Sequence, residues 1–189
     1  MKAWALMPSG FLSSFIPHPS SFAKVSEQIR AVVITASDAC ARGEREDASG
    51  AVVVELLEAL GAEVVARELL SDDLEPLRDL IRASAERAGV NLVVTTGGTG
   101  FAPRDNTPEA TRAVIEREAP GLAEAMRAGT LKQTPLAMIS RGVCGIRAGA
   151  LVVNLPGSPR AVRECFEVIR PVLSHAITLL AGRPHDEAK

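Results

Sequence analysis

Residues 91–111 read NLVVTTGGTGFAPRDNTPEAT, and the fold turns on how this stretch changes character along its length. NLVVTT is a short apolar and β-branched run without polar alternation, the pattern of a strand buried on both faces of a parallel sheet. Gly97-Gly98-Thr99-Gly100 ends it. Glycines without a Cβ let backbone N–H groups come close to an anion, and Thr99 adds a hydroxyl. No Gly-Lys-Ser/Thr follows, so this is not a P-loop, and it is not the G-x-G-x-x-G fingerprint. Thr107-Pro108-Glu109 then begins a helix, with Thr107 as N-cap and Pro108 where its missing N–H costs nothing. Taken alone, the glycines fit a tight turn as well as an anion site. Asp105 fits a plain helix-start residue or a carboxylate for Mg2+ beside bound phosphate.

Working outward, the same alternation recurs. Residues 31–37 (AVVITAS), 63–69 and 150–155 (ALVVNL) read as further strands. Helices are expected from a Ser49 cap to about residue 60, from Asp72 or Asp73 to residue 88, over 121–128, and from Pro159 onward with a kink or break at Pro171. Gly61 and Gly89 stop the first two. The fold class is therefore α/β: a three-layer, mostly parallel sheet with helices on both faces. Ligands in such folds sit beyond the carboxyl ends of the strands. Ser37-Asp38, Gly97 to Gly100 and Pro156-Gly157-Ser158-Pro159 all follow strands and should meet at that edge. The polar loop 37–50 adds Asp38 and Asp47 as acids and Arg42 as a phosphate candidate. Ser158 caps the last helix, with an anion site at its start as the alternative.

Composition removes several function classes. Net charge is -2 and aromatics are 3% with no Tyr, which argues against nucleic acid, stacked single strands and anionic membranes as partners. No apolar run reaches the roughly 20 residues of a membrane span. Cys40, Cys144 and Cys165 are odd in number and widely spaced, which suits buried reduced thiols in a cytoplasmic protein rather than disulfides or zinc. His18, His175 and His185 are scattered. Residues 1–30 hold Trp4, Phe11, Phe15 and Phe22 among Pro and Ser; Pro8 breaks the early apolar stretch, so they read as a flexible extension rather than a signal peptide. One domain, 31–182, and a tail, 183–189, follow.

The segment VVTTGGTGFAPRDNTPEATRAVIERE (93–118) resembles the molybdopterin adenylyltransferases of molybdenum cofactor biosynthesis. The likeness continues through the loop 37–50 and ISRGVCGIRAGALVVNLPGSP (139–159), and covers roughly 31–180. GGTG, PRDNTPEAT and LPGSP in this order are far more specific together than any one alone. The resemblance implies transfer of AMP from Mg-ATP to the terminal phosphate of molybdopterin, with release of pyrophosphate. It implies Asp105 and, after the second strand, Asp72 as the critical acids and magnesium holders, with Asp73 an adjacent rival. It implies substrate contacts at Ser37, Asp38, Asp47, Gly97, Gly98, Thr99, Gly100, Thr107, Ser140, Arg141, Pro156, Gly157 and Ser158. Two polyanions must meet, so Arg42, Arg104 and Arg141 are the expected local cations. It further implies a homotrimer and contact with a downstream molybdate-insertion protein. A pterin-binding scaffold without catalysis is the second reading, which PRDNTPEAT disfavours. Asn106, Ala39 and Ala41 depart from residues common in the family, and the first thirty residues have no counterpart in it.

Overall fold

The computed structural model describes residues 27–182; most of the expected extension and the expected tail lie outside the described residues. The β-branched runs form strands as anticipated. β1 (Arg30–Ala36), β2 (Glu63–Leu70), β3 (Leu92–Thr96) and β6 (Ala150–Leu155) lie parallel in the order β2-β1-β3-β6. β3 and β6 are buried at every position, as their unbroken apolar character requires. Register runs Val32↔Val93 between β1 and β3, and Val93↔Val152 between β3 and β6.

Two strands escaped the sequence reading. β5 (Cys144–Arg147) returns antiparallel beside β6, and β4 (Arg117–Glu118) pairs antiparallel with β5 at the sheet edge. Ala148 and Gly149 turn the β5–β6 hairpin with φ of 49° and 80°, the mirror-image turn geometry that two-residue hairpin loops favour. Alanine is an unusual choice there, which is why the turn carried no sequence signal.

Helices cover both faces. α2 (Ala48–Ala59), α5 (Pro120–Thr130) and α6 (Pro159–Leu180) pack on one face, where Val53, Leu57, Phe166 and Ile169 meet Val33 and Val153. α3 (Leu74–Ala85) and α4 (Thr107–Arg112) cover the other, where Leu77, Ile81 and Ala110 meet Val32, Ile34 and Val93. The alternation of Val32, Val33 and Ile34 between the two cores is the period-2 geometry of a strand buried on both sides. α6 runs unbroken through Pro171, which is exposed. Cys40, Cys144 and Cys165 are buried free thiols. No helix among the described residues is long and apolar enough to cross a membrane.

Two cap readings are corrected. Asp47, not Ser49, caps α2, its carboxylate accepting from the Gly50 N–H. Asn106 stands at the N-cap of α4 and Thr107 is its first helical residue. The loop 37–50 holds a short helix, α1 (Asp38–Ala41), capped by Ser37. α3 ends at Ala85, with a turn to Gly89.

Candidate functional site

β1 leads towards β2 on one side and β3 towards β6 on the other, so the connections diverge between two adjacent strands. In open α/β sheets the crevice outside such a switch point holds the ligand. The three expected turns do meet there. Gly97, at φ 97°, sits so tightly over β1 that a Cβ would lie 2.2 Å from the Ala36 carbonyl oxygen. Its N–H donates to Leu155 O at 3.2 Å, and the Thr96 hydroxyl donates to Pro156 O at 2.8 Å. Gly157 closes the group, its own Cβ position only 3.1 Å from the Gly97 Cα.

A cavity of about 520 Å3 opens beside this junction. Gly98, Thr99, Gly100 and Asp105 form one wall, and Pro156, Gly157 and Ser158 a second at the start of α6. Ser158 is the N-cap of α6, accepting from the Ala161 N–H at 3.2 Å with Pro159 in the first turn. The floor is apolar: Ala123 and Met126 from α5, and Ala137 and Ile139 from the 3-10 turn Pro135–Ile139. Ser140, Asn154, Arg127 and Arg160 complete the lining. Asn154 is locked in place: its amide donates to the Thr95 and Thr111 hydroxyls at 2.9 Å each, and its oxygen accepts from the Val143 N–H.

Against the α4 side of the glycine loop lie three neighbouring carboxylates, Asp38, Asp72 and Asp105. Asp38 and Asp72 brace reciprocally: the Asp38 N–H donates to Asp72 Oδ2 at 2.8 Å, and the Asp72 N–H to Asp38 Oδ1 at 3.1 Å. Asp72 Oδ1 is buried with no partner and lies 2.9 Å from where a Cβ on Gly98 would sit. Burial first, then the charges of Asp38 and Asp105, raise the Asp72 pKa. Asp38 goes the other way, held down to about 2 chiefly by Arg104. Arg104 donates from Nε to Asp38 Oδ2 at 2.5 Å and from Nη2 to Asp73 Oδ1 at 2.9 Å. Asp73 is half-exposed, bonded to Ser71 and Arg104, and its pKa is lowered by them. The choice between the adjacent aspartates is thereby sharpened: Asp72 turns to the glycine loop, Asp73 to Arg104. Asp105 Oδ2 accepts from the Ala102 N–H at 2.8 Å and lies 2.9 Å from the Cβ position of Gly100. Asn106 donates from Nδ2 to Asp72 O at 2.8 Å and ties the two acid-bearing loops together.

Other expectations resolve differently. Asp47 is not among the cavity residues. Its side chain is 7% exposed and engages the Thr35 hydroxyl, the Gly50 N–H and Arg67 at 2.8 Å each, so it anchors α2 to the sheet. Ser37 caps α1 and Asp38 serves the acid brace; neither lines the cavity. Thr107 is fully buried, its hydroxyl donating to Gly97 O at 2.9 Å, which shapes the loop from behind. Arg42 pairs with Glu44 at the surface. The three guanidinium nitrogens of Arg141 are engaged by protein groups rather than turned to the cavity. Arg127 and Arg160 went unread, because only the folded placement of α5 and the start of α6 brings them to the lining. Arg160 directly follows LPGSP, the one signal that could have marked it.

Among the described residues no group of three or more His, Cys, Asp or Glu side chains is set to hold a metal by itself. A hard divalent cation would still suit the orphaned Asp72 Oδ1 and the neighbouring Asp105 if phosphate oxygens completed its shell, the arrangement Mg2+ favours.

Fold and site define an α/β protein with a ligand cavity at the carboxyl edge of a mostly parallel sheet. The chain belongs to the molybdopterin-binding domain family of molybdenum cofactor biosynthesis: a family model described as a probable molybdopterin binding domain matches residues 32–175. It is 39% identical over 152 residues to a molybdopterin adenylyltransferase of Helicobacter pylori, covering 79% of this chain and 86% of that protein. It is 41% identical to the Drosophila melanogaster molybdenum cofactor synthesis protein cinnamon over 82% of this chain, but spans only 26% of that longer protein. The crystal structure of the molybdopterin biosynthesis enzyme MoaB of Thermus thermophilus is 47% identical, with a TM-score of 0.78 over 83% of this chain and 99% of that one.

Proposed function

We propose that the protein is a molybdopterin adenylyltransferase. The observation that carries this is the junction of an apolar-floored cavity with two polar strand-end turns and the neighbouring acids Asp72 and Asp105, the first with a buried, unpartnered oxygen. A pterin suits the apolar floor, and its phosphate suits the Gly98–Gly100 wall, the start of α6 and the nearby Arg127 and Arg160. ATP would lie towards Asp72 and Asp105.

In the reaction, an oxygen of the pterin's terminal phosphate attacks the α-phosphorus of ATP. A new P–O bond forms, the bond from the α-phosphorus to the bridging oxygen breaks, and pyrophosphate leaves with that electron pair. No side-chain nucleophile is needed; positioning and charge neutralisation do the catalysis. Asp72 and Asp105 would hold Mg2+, which when bound offsets the charge of the two polyanions. The Asn106 bond to the Asp72 backbone keeps both acids on one frame. A homotrimeric assembly and hand-over to a molybdate-insertion protein belong to the same reading.

The test is pyrophosphate release by the purified protein with molybdopterin, ATP and Mg2+. Release should require all three. Asp105→Ala should lower it by about 100-fold or more, the usual scale for losing a charge-organising group, while the melting temperature stays close to wild type. Normal turnover by that variant would remove Asp105 from the chemistry.

A further inference from the structure

Arg141 follows the 3-10 turn, yet its backbone N–H and its guanidinium bond to a different segment. Its backbone N–H donates to Thr99 O at 2.8 Å. Its side chain donates from Nε to Gly100 O at 2.6 Å, from Nη2 to Asp105 O at 2.5 Å, and from Nη1 to Glu109 Oε1 at 2.5 Å. One residue thus spans the glycine loop, the residues after it and the first turn of α4. A fixed planar fork is the group that can reach separated carbonyls and a carboxylate together; an ammonium is a single point of charge.

We propose that Arg141 is a positioning residue, whose guanidinium straps the 99–105 loop so that Asp105 is presented to the cavity, without touching substrate itself. Glu109 is the counter-ion that aims the fork. Within the segment, the Asp105 N–H donates to Ala102 O and its Oδ2 accepts from the Ala102 N–H, while its neighbours Arg104, Asn106 and Thr107 bond outward to Asp38 and Asp73, to Asp72 O and to Gly97 and Gly98. Those bonds hold the turn and its flanks, and the Asp105 carbonyl is held by Arg141. Through the same side chain and its backbone N–H, Arg141 joins that carbonyl to Gly100 and Thr99 across the loop. The kinetic consequence rests on the transfer reading above; the strap itself does not.

Arg141→Lys keeps the positive charge and removes the fork. Amide hydrogen exchange of the ligand-free protein should speed up about tenfold at residues 99–106, with β1, β3 and α6 unchanged. In turnover, kcat should fall by about 100-fold, the cost of a misplaced reacting group, while KM for the pterin phosphate moves by less than about threefold. Glu109→Gln, a milder change, should show both effects in the same direction and smaller, and it decides the matter if the lysine variant does not fold. A direct phosphate contact would give the reverse: raised KM, partial rescue by lysine, and unchanged exchange at 99–106. That pattern, or unchanged exchange in both variants, would overturn the strap. If the wild-type protein transfers no nucleotide, the functional reading fails, and the exchange measurement still decides the strap.

Discussion

Asp72 is held at an electrostatic cost. It is partly buried, flanked by the charges of Asp38 and Asp105, and one of its oxygens lacks a partner. Nothing in the local sequence LLSDD distinguishes it from Asp73; the difference arises because the Asp38 N–H reaches back to Asp72 across the sheet edge while Arg104 takes Asp73. A carboxyl whose folded pKa is raised binds protons more readily folded than unfolded. Its ionisation therefore removes stability as pH rises from its ordinary value through the raised one, and no penalty remains below the ordinary value. Asp72→Asn can keep the bond from the Asp38 N–H and discards the charge. It should raise the ligand-free melting temperature at pH 7 by about 2 °C or more, as removal of site strain commonly does, and abolish pyrophosphate release. Its advantage should shrink as pH falls towards the ordinary carboxylate range, because a growing share of the wild-type group is then neutral as well. A calorimetric pH series checks both; an asparagine variant less stable than wild type at pH 7 would contradict the assignment of Asp72 as the strained acid.

At the scale of elements, the site is built by close approach. Gly97 must combine φ of 97° with contact against Ala36 and Gly157, so it is a backbone requirement before it is a binding residue. Gly97→Ala should destabilise the fold by at least about 2 kcal/mol, since both the dihedral and the clash oppose a methyl group; urea unfolding measures it, and a loss below half that would show that the loop can shift. The parallel strands were legible because β-branched runs such as AVVIT and LVV leave little other choice. The helix caps were less so. Asp47 looked like a site acid because it lies in a charged loop at a strand end, yet Thr35, Gly50 and Arg67 converge on it only in the fold. The β5–β6 hairpin escaped because Ala148 occupies a left-handed position that sequence seldom assigns to alanine.

Across the whole molecule, the sheet divides labour. Its two faces are plain cores, and its carboxyl edge carries the cavity. That Ser37-Asp38, Gly97 to Gly100 and Pro156 to Pro159 meet at one edge was readable because each follows a strand of a mostly parallel sheet. The apolar floor was not, because α5 and the 3-10 turn reach the cavity only through the antiparallel excursion of β4 and β5. The same excursion delivers Arg141 to the glycine loop. The most direct measurement follows the label of ATP marked at its α-phosphorus, with the purified protein, molybdopterin and Mg2+. If the chain is an adenylyltransferase, the label moves onto the pterin in step with pyrophosphate release, and neither occurs when the pterin is withheld. Label appearing as free AMP without pterin, or remaining in ATP under saturating substrates, would contradict it.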